Sequence, residues 1–163
     1  MRLELTRRGD YAVRAMLALA DPDADPWLSV TRISVAMAIP ERFLARVMRD
    51  LTGAGLVEAR TGRNGGYRLA RRAATISLLD VIAAVESVDP LRQCVLRGIP
   101  CGSSGRCAVH DTFTEARSAL QARLDEASLA DIVASEASTG RTSAQAAARP
   151  SVDERPVAGA APR

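Results

Sequence analysis

IPERFLARVMRDLTGAGLVEARTGRNGGYRLA, residues 39–70, places a helix and a hairpin side by side with little chain between them. Pro40 with Glu41 beside it suits the first turn of a helix, because proline presets φ and the acid meets the positive end of the dipole. The spacing predicts a helix from Pro40 to about Ala54, with Phe43, Leu44, Val47, Met48 and Leu51 turned inward and Arg42, Arg46, Arg49 and Asp50 outward. Gly53 and Gly55 end it. Leu56 to Arg60 then alternates as a strand does, Thr61 to Gly66 forms a glycine-rich tip, and Tyr67 to Ala70 alternates again, which reads as a β-hairpin. A nucleotide phosphate loop is the competing reading of those glycines. It is disfavoured, since they lie between two strands rather than at a strand-to-helix junction, and no Gly-Lys-Ser/Thr follows.

Upstream, Ser29 or Thr31 can cap a short helix over 30–37 with Ile33, Val35 and Met37 as its apolar surface. Two helices joined by a tight turn, the second edged with arginine, make a helix-turn-helix, and the hairpin behind it makes that a winged helix-turn-helix. Thr6 is a good N-cap for a first helix over 7–20, where Tyr11, Val13, Met16, Leu17 and Ala20 recur at helical spacing. The acidic, proline-broken segment from Asp21 to Pro26 is a loop, and Trp27 with Leu28 is expected to return the chain to the core.

Downstream, Ser77 caps a helix carrying Leu78, Leu79, Val81, Ile82 and Val85 that ends near Ser87. From about Cys107 the chain is helical again, with Val109, Phe113, Ala116, Leu120, Leu124 and Ala127 in one stripe, and Ser128 to Val133 reads as a further turn. Pairing with a second copy would bury that stripe, so a homodimer is expected. The fold class is therefore mainly α with a small β-hairpin wing: a winged helix-turn-helix unit over 1–75, a linker helix, cysteine loop and long dimerisation helix over 76–134, and a disordered tail over 135–163.

Composition agrees with a globular chain: 163 residues, 47% hydrophobic and 25% charged. Its longest apolar run, Ala15 to Ala20, falls far short of the ~20 residues that span a bilayer. Met1 to Arg8 lacks the apolar centre of a signal peptide, and a cytoplasmic location is expected, with no membrane partner. The net charge of +3 divides unevenly. Residues 1–75 hold thirteen Arg against eight acids, +5, and residues 76–163 hold nine against eleven, −2. Arginine supplies all this positive charge, since the chain has no lysine. Basic charge gathered on the winged unit points to double-stranded DNA, with Arg32, Arg42, Arg46, Arg49, Arg60, Arg63 and Arg68 as candidate contacts. A solvated basic face is the plain alternative.

The remaining chemistry lies in one stretch. Cys94, Cys101 and Cys107 are the three cysteines of the chain and His110 is its one histidine. Thiolates this close, with Gly98, Pro100, Gly102 and Gly105 letting the backbone wrap, suit an iron–sulfur cluster or zinc. An intrachain disulfide would leave one thiol over. Cys107 with His110 could also pair as nucleophile and base, but no orienting partner or substrate pocket is evident, and the chain is not expected to be an enzyme.

Gly9-Asp10-Tyr11-Ala12-Val13-Arg14-Ala15-Met16, Gly55-Leu56-Val57, Gly65-Gly66-Tyr67-Arg68-Leu69-Ala70-Arg71 and the three spaced cysteines together resemble the Rrf2 family of bacterial transcriptional regulators. The resemblance spans about residues 1–134. It implies a homodimer with crossing C-terminal helices, a recognition helix in the major groove and a wing in the adjacent minor groove. It makes Arg42 and Arg46 candidates for base contacts and Arg60 and Arg63 candidates for wing contacts. It also implies that Cys94, Cys101 and Cys107 hold an iron–sulfur cluster, 4Fe-4S or 2Fe-2S, although six residues separate the first two here where five are usual. Two residues fall at fourth-ligand positions. His110 matches the histidine of the 2Fe-2S members, and Asp10 matches the aspartate that nitric-oxide sensors donate from the partner subunit to a 4Fe-4S cluster. The implied function is a repressor sensing nitric oxide, redox stress or iron–sulfur status; a regulator using thiol oxidation or zinc at the same cysteines is the alternative.

Overall fold

The computed structural model describes residues 4–86 and 107–139. Helix α1 (Arg7–Ala20) opens at Thr6, whose hydroxyl accepts from the Gly9 N–H at 3.1 Å, and α2 (Val30–Met37) opens at Ser29, which accepts from the Arg32 N–H at 3.2 Å. Both caps satisfy a donor that a helix start leaves without an intrahelical partner. Ala38 then turns the chain in the left-handed region at φ 51°, its N–H reaching back to the carbonyls of Ser34 and Val35. That conformation costs an alanine ~1–2 kcal/mol. The Ser34 hydroxyl, donating to the Ile39 carbonyl at 2.6 Å, helps to hold the turn. Helix α3 (Glu41–Gly53) follows, with Pro40 at its N-cap position and no side-chain capping bond.

Strands β1 (Val57–Arg60) and β2 (Gly66–Leu69) pair antiparallel, with Val57 opposite Leu69 and Arg60 opposite Gly66. The wing is therefore a hairpin directly behind α3, as the alternation predicts. The other edge of β2 is also paired: Leu28 exchanges hydrogen bonds with Tyr67 at 3.0 and 2.8 Å, an isolated one-residue bridge beside the two-stranded sheet. A single 3-10 turn, Ala73–Thr75, leads to α4 (Leu78–Val85), where Ser77 and Asp80 form a reciprocal capping box.

Helix α5 (His110–Glu126) has no buried residue in the single chain. It does not run on into the next turn. The backbone breaks at Ala127 and Ser128, where the Leu78 N–H donates to the Ala127 carbonyl at 2.8 Å and the Leu129 N–H to the Ile76 carbonyl at 3.0 Å. Helix α6 (Leu129–Thr139) then packs on α1, beyond the boundary expected at 134.

One cluster of apolar side chains joins α1 to α4, the wing and α6, with Met16, Ile33, Ile39, Leu44, Met48, Leu51, Ile76, Val81 and Leu129 fully buried. Three sequence expectations need correction. Phe43 is 46% exposed rather than part of the inward stripe of α3, because its ring lies against Tyr11 at the rim of the α1–α3 contact, centroids 6.1 Å apart. Val35 is 78% exposed, so α2 is anchored by Ile33 with Met37 partly covered. Trp27 stops short of the core; Leu28 is the residue that enters it. None of the helices among the described residues is long and apolar enough to cross a membrane.

Candidate functional site

The outer face of α3 carries the first candidate surface. Burying Leu44, Val47, Met48 and Leu51 turns Arg42, Arg46 and Arg49 to solvent, since at 3.6 residues per turn these three cannot share the core face. Arg42 lies over the Phe43 ring at 4.7 Å, a stacking that restrains its guanidinium while leaving N–H edges available. Asp50 would weaken the positive face. Arg8, reaching across from α1, pairs with it at 2.5 Å and takes up that charge.

The wing forms the second. Arg60 and Arg68 are exposed on the hairpin, and their guanidinium carbons lie 4.4 and 4.6 Å from the centroid of the Trp27 ring. Arg60 also donates to the Asn64 carbonyl in the tip, and Arg68 to the Glu58 carboxylate at 2.7 Å. Arg63 stands exposed at the tip itself. The tip needs glycine: a Cβ on Gly65 would fall 2.8 Å from the Gly62 carbonyl oxygen and closer still to that of Arg60, and one on Gly66 would meet the Leu28 carbonyl at 2.6 Å. Arg32, like Arg68, is ion-paired, its partner being Asp25 of the acidic loop. Trp27 was not singled out in sequence as part of this surface; a lone tryptophan after a loop carries no signal of which neighbours it will meet.

The candidate metal ligands are spread over several places. Cys94 and Cys101 lie outside the described residues. Cys107 precedes α5 and its carbonyl accepts from the His110 N–H at 3.0 Å, so cysteine and histidine are one turn apart at the start of that helix. Asp10 sits in the first turn of α1, half exposed and ion-paired with Arg14. Among the described residues no three side chains of the metal-binding types converge on one point, so Asp10, Cys107 and His110 of a single chain do not form a site by themselves.

Two contacts nevertheless tie this region to the winged unit. Arg14, largely buried, donates to the Met37 carbonyl at 2.8 Å as well as pairing with Asp10, and so links α1 to the last residue of α2; its Nε has no partner among the described residues. Glu86, where the described chain pauses before the cysteines, accepts from the Thr6 N–H at 3.2 Å and from the Thr6 hydroxyl. Its carboxylate thus rests on the positive end of α1, and the absence of a side chain at Gly9 provides the space.

Residues 5–135 match the Rrf2 family, described as iron-dependent transcriptional regulators. The chain is 32% identical over 137 residues to the transcriptional regulator NsrR of Geobacillus kaustophilus, covering 83% of this chain and 93% of that one. It is 36% identical over 132 residues to the regulator IscR of Vibrio vulnificus, covering 80% and 77%. In structure it resembles CymR, the global cysteine regulator of Bacillus subtilis, with a TM-score of 0.69 at 24% identity over 82% of this chain and 98% of that one.

Proposed function

Because the chain belongs to the Rrf2 family of transcriptional regulators, we propose that it is a homodimeric repressor whose operator affinity is set by an iron–sulfur cluster responding to nitric oxide, redox stress or iron–sulfur status. The observation that carries the DNA side of this reading is the pairing of two basic surfaces. The Arg42, Arg46 and Arg49 face of α3 stands directly before the Arg60, Arg63 and Arg68 wing, and Asp50 of α3 is paired with Arg8. Arginine on a groove-sized helix can read guanine by two hydrogen bonds, and arginine on a wing can hold phosphate. The apolar stripe of α5, without a buried residue in one chain, supports a second copy as its cover.

For the cluster, the donors fit in chemistry: three thiolates from Cys94, Cys101 and Cys107, with Asp10 of a second copy or His110 as the fourth. When bound, such a cluster supplies iron that nitric oxide and oxidants can attack. What the protein contributes is a path from the ligand to the DNA-binding unit. Drawing Asp10 toward a partner would take it from Arg14, and a mostly buried guanidinium that also holds the Met37 carbonyl would then be left short of acceptors. The α2–α3 turn would feel that loss. Engagement of Asp10 and the position of α3 are thereby coupled, as in a two-state element that a ligand can bias.

Anaerobic purification with iron and sulfide counts, followed by operator binding before and after nitric oxide, tests the proposal. A coloured protein with stoichiometric iron and sulfide, losing operator on exposure, is expected. A colourless protein carrying zinc, or one that answers only to thiol oxidants, would replace the cluster with zinc or thiol chemistry at the same cysteines.

A further inference from the structure

Trp27 is the chain's one tryptophan, and it is spent on the wing. Leu28 pairs with Tyr67, so one step along the same register brings Trp27 opposite Arg68, which is itself opposite Glu58. Side chains alternate across a pleated sheet, so Trp27, Arg68 and Glu58 share one face, and Arg60 lies two residues from Glu58 on that face. Opposite Arg60 stands Gly66, which has no side chain to separate the guanidinium of Arg60 from the indole. Two like-charged groups therefore meet one half-buried ring, at 4.4 and 4.6 Å.

The π face of indole attracts both cations, and this attraction leaves the in-plane N–H donors of a guanidinium uncommitted. Each guanidinium has five donors, of which Asn64 and Glu58 occupy only some. A flexible arginine must be ordered when it grips phosphate; one already stacked has lost much of that freedom. We infer that Trp27 is a positioning residue of the wing, holding Arg60 and Arg68 with their edges presented to the DNA backbone. This rests on the reading of the wing as a DNA contact.

The test is the salt dependence of operator binding by the full-length chain, measured for wild type, Trp27→Leu, Trp27→Met, Trp27→Phe, Arg60→Ala/Arg68→Ala, and the Trp27 substitutions combined with that pair. Thermal unfolding of each variant identifies any that fail to fold; leucine and methionine are independent routes to a bulky side chain without a π face. Removing both arginines should lower the slope of log affinity against log salt by about 2. Trp27→Leu or Trp27→Met should weaken binding about fivefold, with Trp27→Phe within about twofold of wild type. In the Arg60→Ala/Arg68→Ala background the Trp27 substitutions should change nothing further. Full-strength binding by Trp27→Leu and Trp27→Met, or an equal loss with and without the two arginines, would overturn the inference while the wing reading stands. An unchanged slope in Arg60→Ala/Arg68→Ala would instead overturn the wing reading itself, and the inference with it.

Discussion

Arg46 is exposed in the middle of α3, where a base contact and a phosphate contact have different signatures. If it reads a guanine, Arg46→Ala removes ~1–3 kcal/mol of discrimination at one operator position while binding to random DNA changes little. Competition between operator and scrambled DNA measures this; equal weakening on both makes Arg46 a phosphate contact. Glu58 has the opposite role. Its carboxylate pairs with Arg68 at the surface, where such pairs stabilise the fold by only ~0–1 kcal/mol, yet it places negative charge beside the proposed phosphate track. Glu58→Gln should tighten DNA binding at low salt and lose that advantage as salt rises, since exposed charges are screened. Phe43 shows the limit of residue-level reading. Periodicity marks it as apolar and adjacent to Leu44, but whether a residue at the margin of a stripe is covered depends on the neighbour, and here Tyr11 and Arg42 leave nearly half of it open.

At the scale of elements, helix starts were the most legible features, because a cap is local chemistry: Thr6, Ser29, Pro40 and Ser77 each stand where the helix begins. The hairpin was legible for the same reason, its glycines serving a tip that admits no side chain at two positions. Gly66→Ala should therefore cost ~1–3 kcal/mol in chemical denaturation, since the new methyl would meet the Leu28 carbonyl and push Leu28 away from β2. Operator affinity should fall with it. The break between α5 and α6 was not legible. It is made by pairing of Ser128 with Ser77, residues far apart in sequence, and a stripe at helical spacing continues across it without a signal. Its consequence is that Leu129 becomes a core residue of the winged unit. Leu129→Ala should destabilise by ~2–5 kcal/mol, measured by denaturant titration, whereas a mere extra turn on an exposed helix would cost far less.

At the scale of the whole molecule, the described helices that follow the wing pack back onto the winged unit. Helix α4 lies against α1, α6 returns to α1, and Glu86 rests on the start of α1 at Thr6 and Gly9. A sequence reading identifies the thiols and the arginines separately; the contacts of Arg14 with Met37 and of Thr6 with Glu86 exist only once the helices are packed, because each joins residues from different elements. Of the candidate ligands, Cys107, His110 and Asp10 are placed, and Cys94 and Cys101 lie beyond the described residues. The central claim is that occupancy of the cysteine site and affinity for the operator rise and fall together. One anaerobic titration with nitric oxide, following visible absorbance and the anisotropy of labelled operator in the same cuvette, tests it most directly. The account predicts that wild type loses colour and operator over the same range of nitric oxide, and that Cys107→Ala begins colourless and gives no nitric-oxide response. Operator binding that stays constant while the colour disappears would contradict it.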